Sequence, residues 1–317
     1  MNELENINNS YNKITTLYDI KSKFILKKIF DNLQYINLLK IINKNKKFQN
    51  KLSKDINDYK KYLQTEIEII PTKEIFGDSI HKYINHTYDK FRAYYHIYLD
   101  ESKEEIKTNT ISNDKPFIKI KLIIDYEIKS FESLFRGCRG LKKMKFIKFN
   151  RRDIENMSYM FNECISLEEL IFSKINTNNV KNMTSMFSGC ILLKELDLCN
   201  FNTNNVTDMY DMFSECYQLE KLNVSSFNTE KVSKMNFMFH KCSSLKELNL
   251  SNFNTNNVIS MYYMFYGCSS LTELNISNFS INNIKDMSYM FYGCNSLTKF
   301  YCSKNMIKEQ YEKMLQS

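Results

Sequence analysis

The sequence predicts an α/β solenoid, a stack of 26-residue coils in which each coil supplies one short parallel strand and one short helix. The first observation behind this is a strict repeat. Phenylalanine recurs at Phe135, Phe161, Phe187, Phe213, Phe239, Phe265 and Phe291, and cysteine follows three residues later at Cys138, Cys164, Cys190, Cys216, Cys242, Cys268 and Cys294. The second is that apolar residues hold fixed offsets. Leu245, Leu248, Leu250, Phe253, Val258, Met261 and Met264 of one unit are matched by Leu271, Leu274, Ile276, Phe279, Ile284, Met287 and Met290 of the next. Columns of this kind build a continuous core one coil at a time. The third is that two periods alternate within a unit. Leu248 and Leu250 flank Asn249 with the two-residue period of a half-buried strand, whereas Val258, Met261, Met264 and Phe265 step along one face of a helical turn or two. The polar run Asn254, Thr255, Asn256, Asn257 joins them as a turn. Glycine precedes the cysteine in only four of the seven units (Gly137, Gly189, Gly267, Gly293), so the return turn is not expected to require positive φ. The Met columns read as flexible apolar filler.

Taken in chain order, residues 1–14 are polar and Asn-rich, the composition of a disordered tail. Residues 15–65 predict a small helical segment: Ile20, Phe24, Ile25, Ile29, Phe30 and Leu33 share one face, opposite Lys21, Lys23, Lys27 and Lys28. Residues 66–117 change to strand patterns (EIEII, AYYHIYL) and predict a β-rich N-terminal cap over the open end of the stack. From Ile118 the chain falls into register, with Ile118, Ile120, Ile123, Ile128, Phe131 and Leu134 lying one period before Met144, Phe146, Phe149, Ile154, Met157 and Met160. The solenoid is therefore expected over 118–303, opening on a cysteine-less coil near Ile118. Residues 304–317 predict a C-terminal capping helix.

Composition narrows the functional classes. The 317 residues are 43% hydrophobic, with 6 Gly, 2 Pro and no Trp. No apolar run approaches the length of about 18 residues that a membrane-spanning helix needs. The opening MNELENINNSYNK carries two acids and no apolar stretch, so no signal peptide is visible and a cytoplasmic protein is expected. In a reducing compartment the cysteine column reads as buried, unpaired thiols, and its spacing is unlike that of zinc-binding pairs. The four histidines are scattered, and neither a glycine-rich phosphate loop nor a nucleophile motif is present. These absences predict no metal, no cofactor and no catalysis. Net charge is +8, and the positive excess sits in the front half: residues 1–150 hold 29 Lys and Arg against 19 Asp and Glu, residues 151–317 hold 15 against 17. The densest run is Arg136, Arg139, Lys142, Lys143, Lys145, Lys148, Arg151 and Arg152, with no acid in 133–152. It reads either as a patch for an anionic partner or as a solvated face. The lack of interleaved aromatics points away from single-stranded nucleic acid.

The repeat LKELNLSNFNTNNVISMYYMFYGCSSLTELNISNF resembles the BspA-like leucine-rich repeats, and seven consecutive units over about 131–303 keep the pattern. That resemblance implies a leucine-rich-repeat solenoid that binds other proteins or a cell surface without catalysis. Cell-surface members carry an export signal, so the surface location is the alternative to the cytoplasm. More weakly, Ile25, Leu26, Ile29, Phe30 and Leu33 in FILKKIFDNL resemble the apolar frame of an F-box. Lys21, Ser22 and Phe24 stand where its leucine, proline and glutamate would be, so an ordinary amphipathic helix pair is the alternative. An F-box would imply a Skp-type adaptor bound through residues 20–50 and a ubiquitin-ligase substrate receptor.

If the leucines six and eight residues after each cysteine point inward, the residues at five, seven and nine point outward as three ladders. The first is Lys143, Glu169, Glu195, Lys221, Glu247, Glu273 and Lys299. The second is Lys145, Ile171, Asp197, Asn223, Asn249, Asn275 and Tyr301, and the third is Ile147, Ser173, Cys199, Ser225, Ser251, Ser277 and Ser303. In leucine-rich folds this strand face is the concave surface that holds partners. The residues expected to contact a protein partner are Lys143, Lys145, Glu169, Glu195, Asp197, Asn223, Glu247, Asn249, Glu273 and Asn275. The alternative for the asparagines is a ladder that bonds only along itself. A competing surface is the aromatic group Tyr262, Tyr263, Tyr266, Tyr289 and Tyr292 on the helical side.

Overall fold

A computed structural model describes residues 56–72, 80–85, 91–112, 119–173 and 175–315. The chain divides into two compact units, residues 1–63 and 64–317. Of the first unit only helix α1 (Ile56–Leu63) is described. The polar tail at 1–14, most of the helical segment at 15–65 and the F-box-like residues Ile25, Leu26, Ile29, Phe30 and Leu33 lie outside the described residues.

The second unit is a β-solenoid. From Lys143 to Lys299 the chain makes six turns of 26 residues, and each coil returns a short strand to the same face: β7 (Leu141–Phe149), β8 (Glu169–Phe172), β9 (Glu195–Asp197), β10 (Lys221–Asn223), β11 (Glu247–Leu248), β12 (Glu273–Asn275) and β13 (Lys299–Tyr301). Pairing is parallel and in register at one period, for example Lys143 with Glu169, Glu195 with Lys221 and Glu273 with Lys299. The strand phase follows from side-chain chemistry. Leu196, Leu248 and Leu274 face the core while Glu195, Asp197, Glu247, Glu273 and Asn275 face out. Phe135, Phe161, Phe187, Phe213, Phe239, Phe265 and Phe291 form one stack of near-parallel rings with centroids 5.5–5.8 Å apart.

The side opposite the strands differs from the expectation of a helix. Among the described residues no α-helix forms in the coils; each arc is a run of tight turns. In the second arc the N–H groups of Met160, Asn162 and Cys164 bond three residues back, to Met157, Tyr159 and Phe161. The alternate N–H groups of Met157, Tyr159, Phe161 and Glu163 leave the coil and bond Asn182, Thr184, Met186 and Ser188 of the next at 2.8–3.1 Å. A helix would direct every amide along its own axis. Here half of them join neighbouring coils, and apolar residues spaced by three serve a turn ribbon as well as they would serve a helix.

Backbone conformation corrects a second expectation. The residue before the cysteine has positive φ in all seven arcs: Gly137 68°, Glu163 59°, Gly189 75°, Glu215 58°, Lys241 56°, Gly267 72° and Gly293 78°. A further column, Ser133, Tyr159, Ser185, Asp211, Phe237, Tyr263 and Tyr289, also lies at φ of 49–59° without one glycine. Positive φ at the third residue is what a type II turn demands. In every arc but the last, inter-coil amide bonds hold these residues there despite a cost of about 1–2 kcal/mol each for an L side chain.

Polar side chains close the remaining backbone groups. Thr177, Thr203, Thr229 and Thr255 are buried, and each hydroxyl both donates to a carbonyl of the next coil and accepts an amide from it; Thr177 Oγ1 lies 2.9 Å from Asn202 O and 2.7 Å from Asn202 N. Asn176, Asn202, Asn228 and Asn254 accept the amide two residues on. The column cysteines are free and buried, and from Cys164 to Cys294 each thiol donates to the carbonyl of the phenylalanine one coil back, at 3.0–3.2 Å. Burial pushes the Cys216 and Cys294 thiols up to about 12 and their neighbours in the same direction.

The front of the stack departs from simple repetition. On the turn side stacking begins at Phe131, whose amide bonds Asn156 O. On the strand side, β1 (Thr65–Pro71) inserts antiparallel between β6 (Ile120–Ile124) and β7, so Ile67 pairs with both Leu122 and Phe146. The strand side therefore opens at β7, not near Ile118. Antiparallel β3 (Tyr95–Leu99) and β4 (Glu105–Ile106) extend this sheet beyond β6, and β2 (Ile80–Lys82) pairs with β5 (Thr110–Ser112). At the far end α2 (Asn305–Leu315) covers the last coil. Ile307 is fully buried, and the Tyr311 ring stacks on Phe300 at 4.4 Å while its hydroxyl donates to Leu297 O.

Two outcomes follow. Glu163→Gly should leave stability within about 1 kcal/mol of the parent because it relieves a left-handed residue. Gly267→Val should cost more than about 1 kcal/mol, since its Cβ would sit 3.3 Å from Lys241 Cγ at φ 72°; equal losses in chemical denaturation would refute the turn assignment. The raised thiols stabilise the fold fully below the unfolded thiol pKa, and that contribution is lost as pH climbs toward their folded values. Urea midpoints should thus fall above about pH 9, by up to about 1.4 kcal/mol per pH unit for each buried thiol. At neutral pH exposed Cys199 should react with a bulky alkylating reagent well before Cys216 or Cys242.

Candidate protein-binding face

Every residue of the three predicted ladders that belongs to β7–β13 lies on the strand face, but the residues are not equally available. In the first ladder Lys143 Nζ lies 2.7 Å from Glu169, Lys221 pairs with Glu195 at 2.5 Å and Lys299 with Glu273 at 3.4 Å. Seven charges taken in neighbouring pairs leave one over. Glu247 makes no ion pair among the described residues, and it stands between Lys221 and Glu273, which both face other partners. Hydrogen bonding and the charge of Glu169 raise the Lys143 ammonium above its ordinary value, and Glu195 does the same for Lys221.

The second ladder settles the asparagine alternative. The side chains of Asn223, Asn249 and Asn275 do not bond along the stack among the described residues; each Oδ1 accepts the amide two residues on, from Ser225, Ser251 and Ser277, at 3.0–3.1 Å. Asp197 does the same for Cys199 at 3.0 Å. The turn after each strand is thereby fixed, and the Nδ2 groups are left as outward donors with no hydrogen bond among the described residues. Lys145 is exposed and makes no ion pair among the described residues, and Ile147 and Ile171 are exposed beside it at 44% and 39%.

Between coils two and three the face is hollowed into an open groove of about 590 Å³. Lys143, Glu169, Glu195 and Asp197 line it, together with Glu168, Leu192, Lys194 and Gln218, which were not singled out in the sequence. The missed residues precede the strand residues in each unit, and a signal was present in the alternating column Lys142, Glu168, Lys194, Glu220, Lys246. Of that column Lys142 pairs with Glu168 at 3.3 Å. The groove sits where β8 and β9 share no ladder hydrogen bonds.

The basic run does not form one surface. Arg151 is completely buried: its Nε donates to Asp153 at 2.8 Å, and its two terminal nitrogens donate to the carbonyls of Asp125 and Ile128. Burial alone would raise the Asp153 carboxyl, yet hydrogen bonds from Arg151 and Lys129 hold it below the usual carboxylate range. Lys142 and Lys143 are paired with acids, and Arg136 lies over the Tyr159 ring at 5.2 Å. The run Arg136–Arg152 is therefore not an uninterrupted anion site: Arg151 is structural, and Lys142 and Lys143 are shared with acids of the next coil. Among the described residues no helix is long and apolar enough to cross a membrane.

A protein-family model described as "Mycoplasma protein of unknown function, DUF285" matches residues 129–246 and again 218–316, over the solenoid and α2. No curated protein and no solved structure matches the chain. Arg151→Ala should cost about 2–5 kcal/mol by emptying a fully buried site and leaving the carbonyls of Asp125 and Ile128 unmatched, whereas Lys143→Ala should leave the denaturation midpoint almost unchanged. Equal midpoints for the two variants would show that Arg151 is not the anchor described.

Proposed function

The chain belongs to the family of Mycoplasma proteins of unknown function, DUF285, and we propose that it is a non-catalytic scaffold of the leucine-rich-repeat kind, which holds a partner protein on its strand face. The observation that carries this reading is the division of labour among polar side chains. On the turn side the threonine hydroxyls are used as donor and acceptor by the chain's own backbone, whereas the strand face keeps amide donors and the Glu247 carboxylate without partners among the described residues. Asn223, Asn249 and Asn275 offer a row of amide donors, Glu247 an unpaired charge, and the groove at Glu169, Glu195 and Asp197 a recess. Paired charges at Lys143, Glu169, Glu195 and Glu273 add little to stability in water. Against a partner they set register and exclude mismatched surfaces.

The test begins with partners recovered on the full-length chain and confirmed by direct titration. Glu247→Lys combined with Glu273→Lys should weaken binding at least about tenfold, as loss of central interface residues does. Tyr263→Ala combined with Tyr289→Ala should weaken it less. The opposite ranking would move the site to the turn side and end the strand-face reading.

A further inference from the structure

The last coil is chemically unlike those before it. In the preceding coil the N–H groups of Met261, Tyr263, Phe265 and Gly267 donate to Asp286, Ser288, Met290 and Tyr292 at 2.7–3.1 Å. The corresponding groups of Met287, Tyr289, Phe291 and Gly293 have no acceptor among the described residues, and α2, which covers the apolar end of the coil, accepts none of them. Met287 and Phe291 are buried, at 6% and 1%, so the backbone donors that the end of the stack presents are those of Tyr289 and Gly293. A solenoid's end coil ordinarily carries a polar outer face. Here the three most exposed large apolar side chains of the described chain lie in it: Tyr289 at 54%, Tyr301 at 48% and Tyr292 at 45%. Tyr289 and Tyr292 end two rows of rings that climb the turn side. Phe237, Tyr263 and Tyr289 are spaced 5.3 and 5.1 Å apart, and His240, Tyr266 and Tyr292 are 5.3 Å apart at each step.

Hydrogen-bond complementarity decides what can sit there. A second copy meeting this end with its own last coil would set donors against donors. A second copy offering its first coil would need the carbonyls at 130, 132, 134 and 136, but Leu134 O already accepts the Asn85 amide at 3.0 Å and Ser133 O accepts Asn85 Nδ2 at 3.1 Å. An ordinary β-strand presents N–H as well as C=O along each edge, so half of its groups would again face donors. A backbone that offers acceptors alone is a proline-rich one, since proline has no N–H and the polyproline II helix leaves its carbonyls unbonded. Such segments also dock on exposed aromatic rings. We propose that the turn-side end of the last coil is a second binding site, distinct from the strand face, that takes a proline-rich segment of another protein in the polyproline II conformation.

The experiment titrates the full-length chain with a fluorescein-labelled oligoproline peptide and, separately, with a glycine-serine peptide of the same length, by fluorescence anisotropy. Oligoproline should bind and the glycine-serine peptide should not. Hydrogen exchange over residues 287–293 should slow in the complex. Tyr289→Ser combined with Tyr292→Ser, both exposed positions, should weaken binding at least about tenfold, while Glu247→Lys with Glu273→Lys should leave it unchanged. No oligoproline binding, equal binding of both peptides, unaltered exchange at 287–293, or full affinity in the folded tyrosine variant would each overturn the proposal.

Discussion

The solenoid depends on how each coil divides its amide donors: alternate N–H groups close turns within the coil, and the others reach the carbonyl 25 residues ahead. A buried amide without a partner is costly, so the ribbon tolerates neither an inserted nor a deleted residue. That constraint explains why seven units keep one length with no slippage. It also explains the column of non-glycine residues at positive φ. Tyr159, Phe237 and Tyr263 are poor candidates for left-handed backbone, yet a relaxed φ at any of them would misdirect two hydrogen bonds at once.

Side chains extend the same arrangement. The threonine hydroxyls, the first asparagine of each polar turn and the column thiols all bond backbone groups of an adjacent coil or of their own turn. Cysteine suits its column because it is small enough for a fully buried site and still supplies a weak donor to the phenylalanine carbonyl. The stacked phenylalanine rings then fill the interior over the full height of the coils. Since the core and the turn side are committed in this way, variable chemistry is confined to the strand face and to the rings on the outer edge.

Much of this was legible in the sequence, and the remainder was hidden for identifiable reasons. The strand phase could be read because Leu248 and Leu250 alternate with polar residues, and the burial of Leu248 and exposure of Glu247 agree. The helix could not be told from a turn ribbon, because Val258, Met261 and Met264 have the same three-residue spacing in both. Glycine counts misled on φ: Glu215 and Lys241 take the left-handed conformation that Gly267 takes beside them, and a 2.9 Å ion pair joins their side chains. The insertion of β1 was invisible, because IKIKLII reads as a strand whichever neighbour it pairs with, and sequence spacing carries no information on a partner more than fifty residues away. For the candidate face, the ladders were visible but their internal pairing was not, and the basic run was read as surface although Arg151 lies inside.

The outward ladder shows why a repeat that is structurally uniform can still be locally specific. Strict repetition would place like charges directly above one another one coil apart, and like charges opposite each other in neighbouring strands are destabilising. The chain offsets this with opposite-sign pairs, Lys143 with Glu169, Glu195 with Lys221 and Glu273 with Lys299, although Glu169 and Glu195 still stand one coil apart. The pattern then breaks at Glu247, which stacks on Glu273 in register. Seven charges taken in pairs leave one over in any case, and here the one left is a carboxylate inside the row, not a residue at its end. That carboxylate sits in the middle of the face beside amide donors that make no hydrogen bond among the described residues, and its neighbour Glu273 is already paired with Lys299. Glu247, unpaired among the described residues, separates the strand face from the turn side, where the threonine ladder is closed by the chain itself.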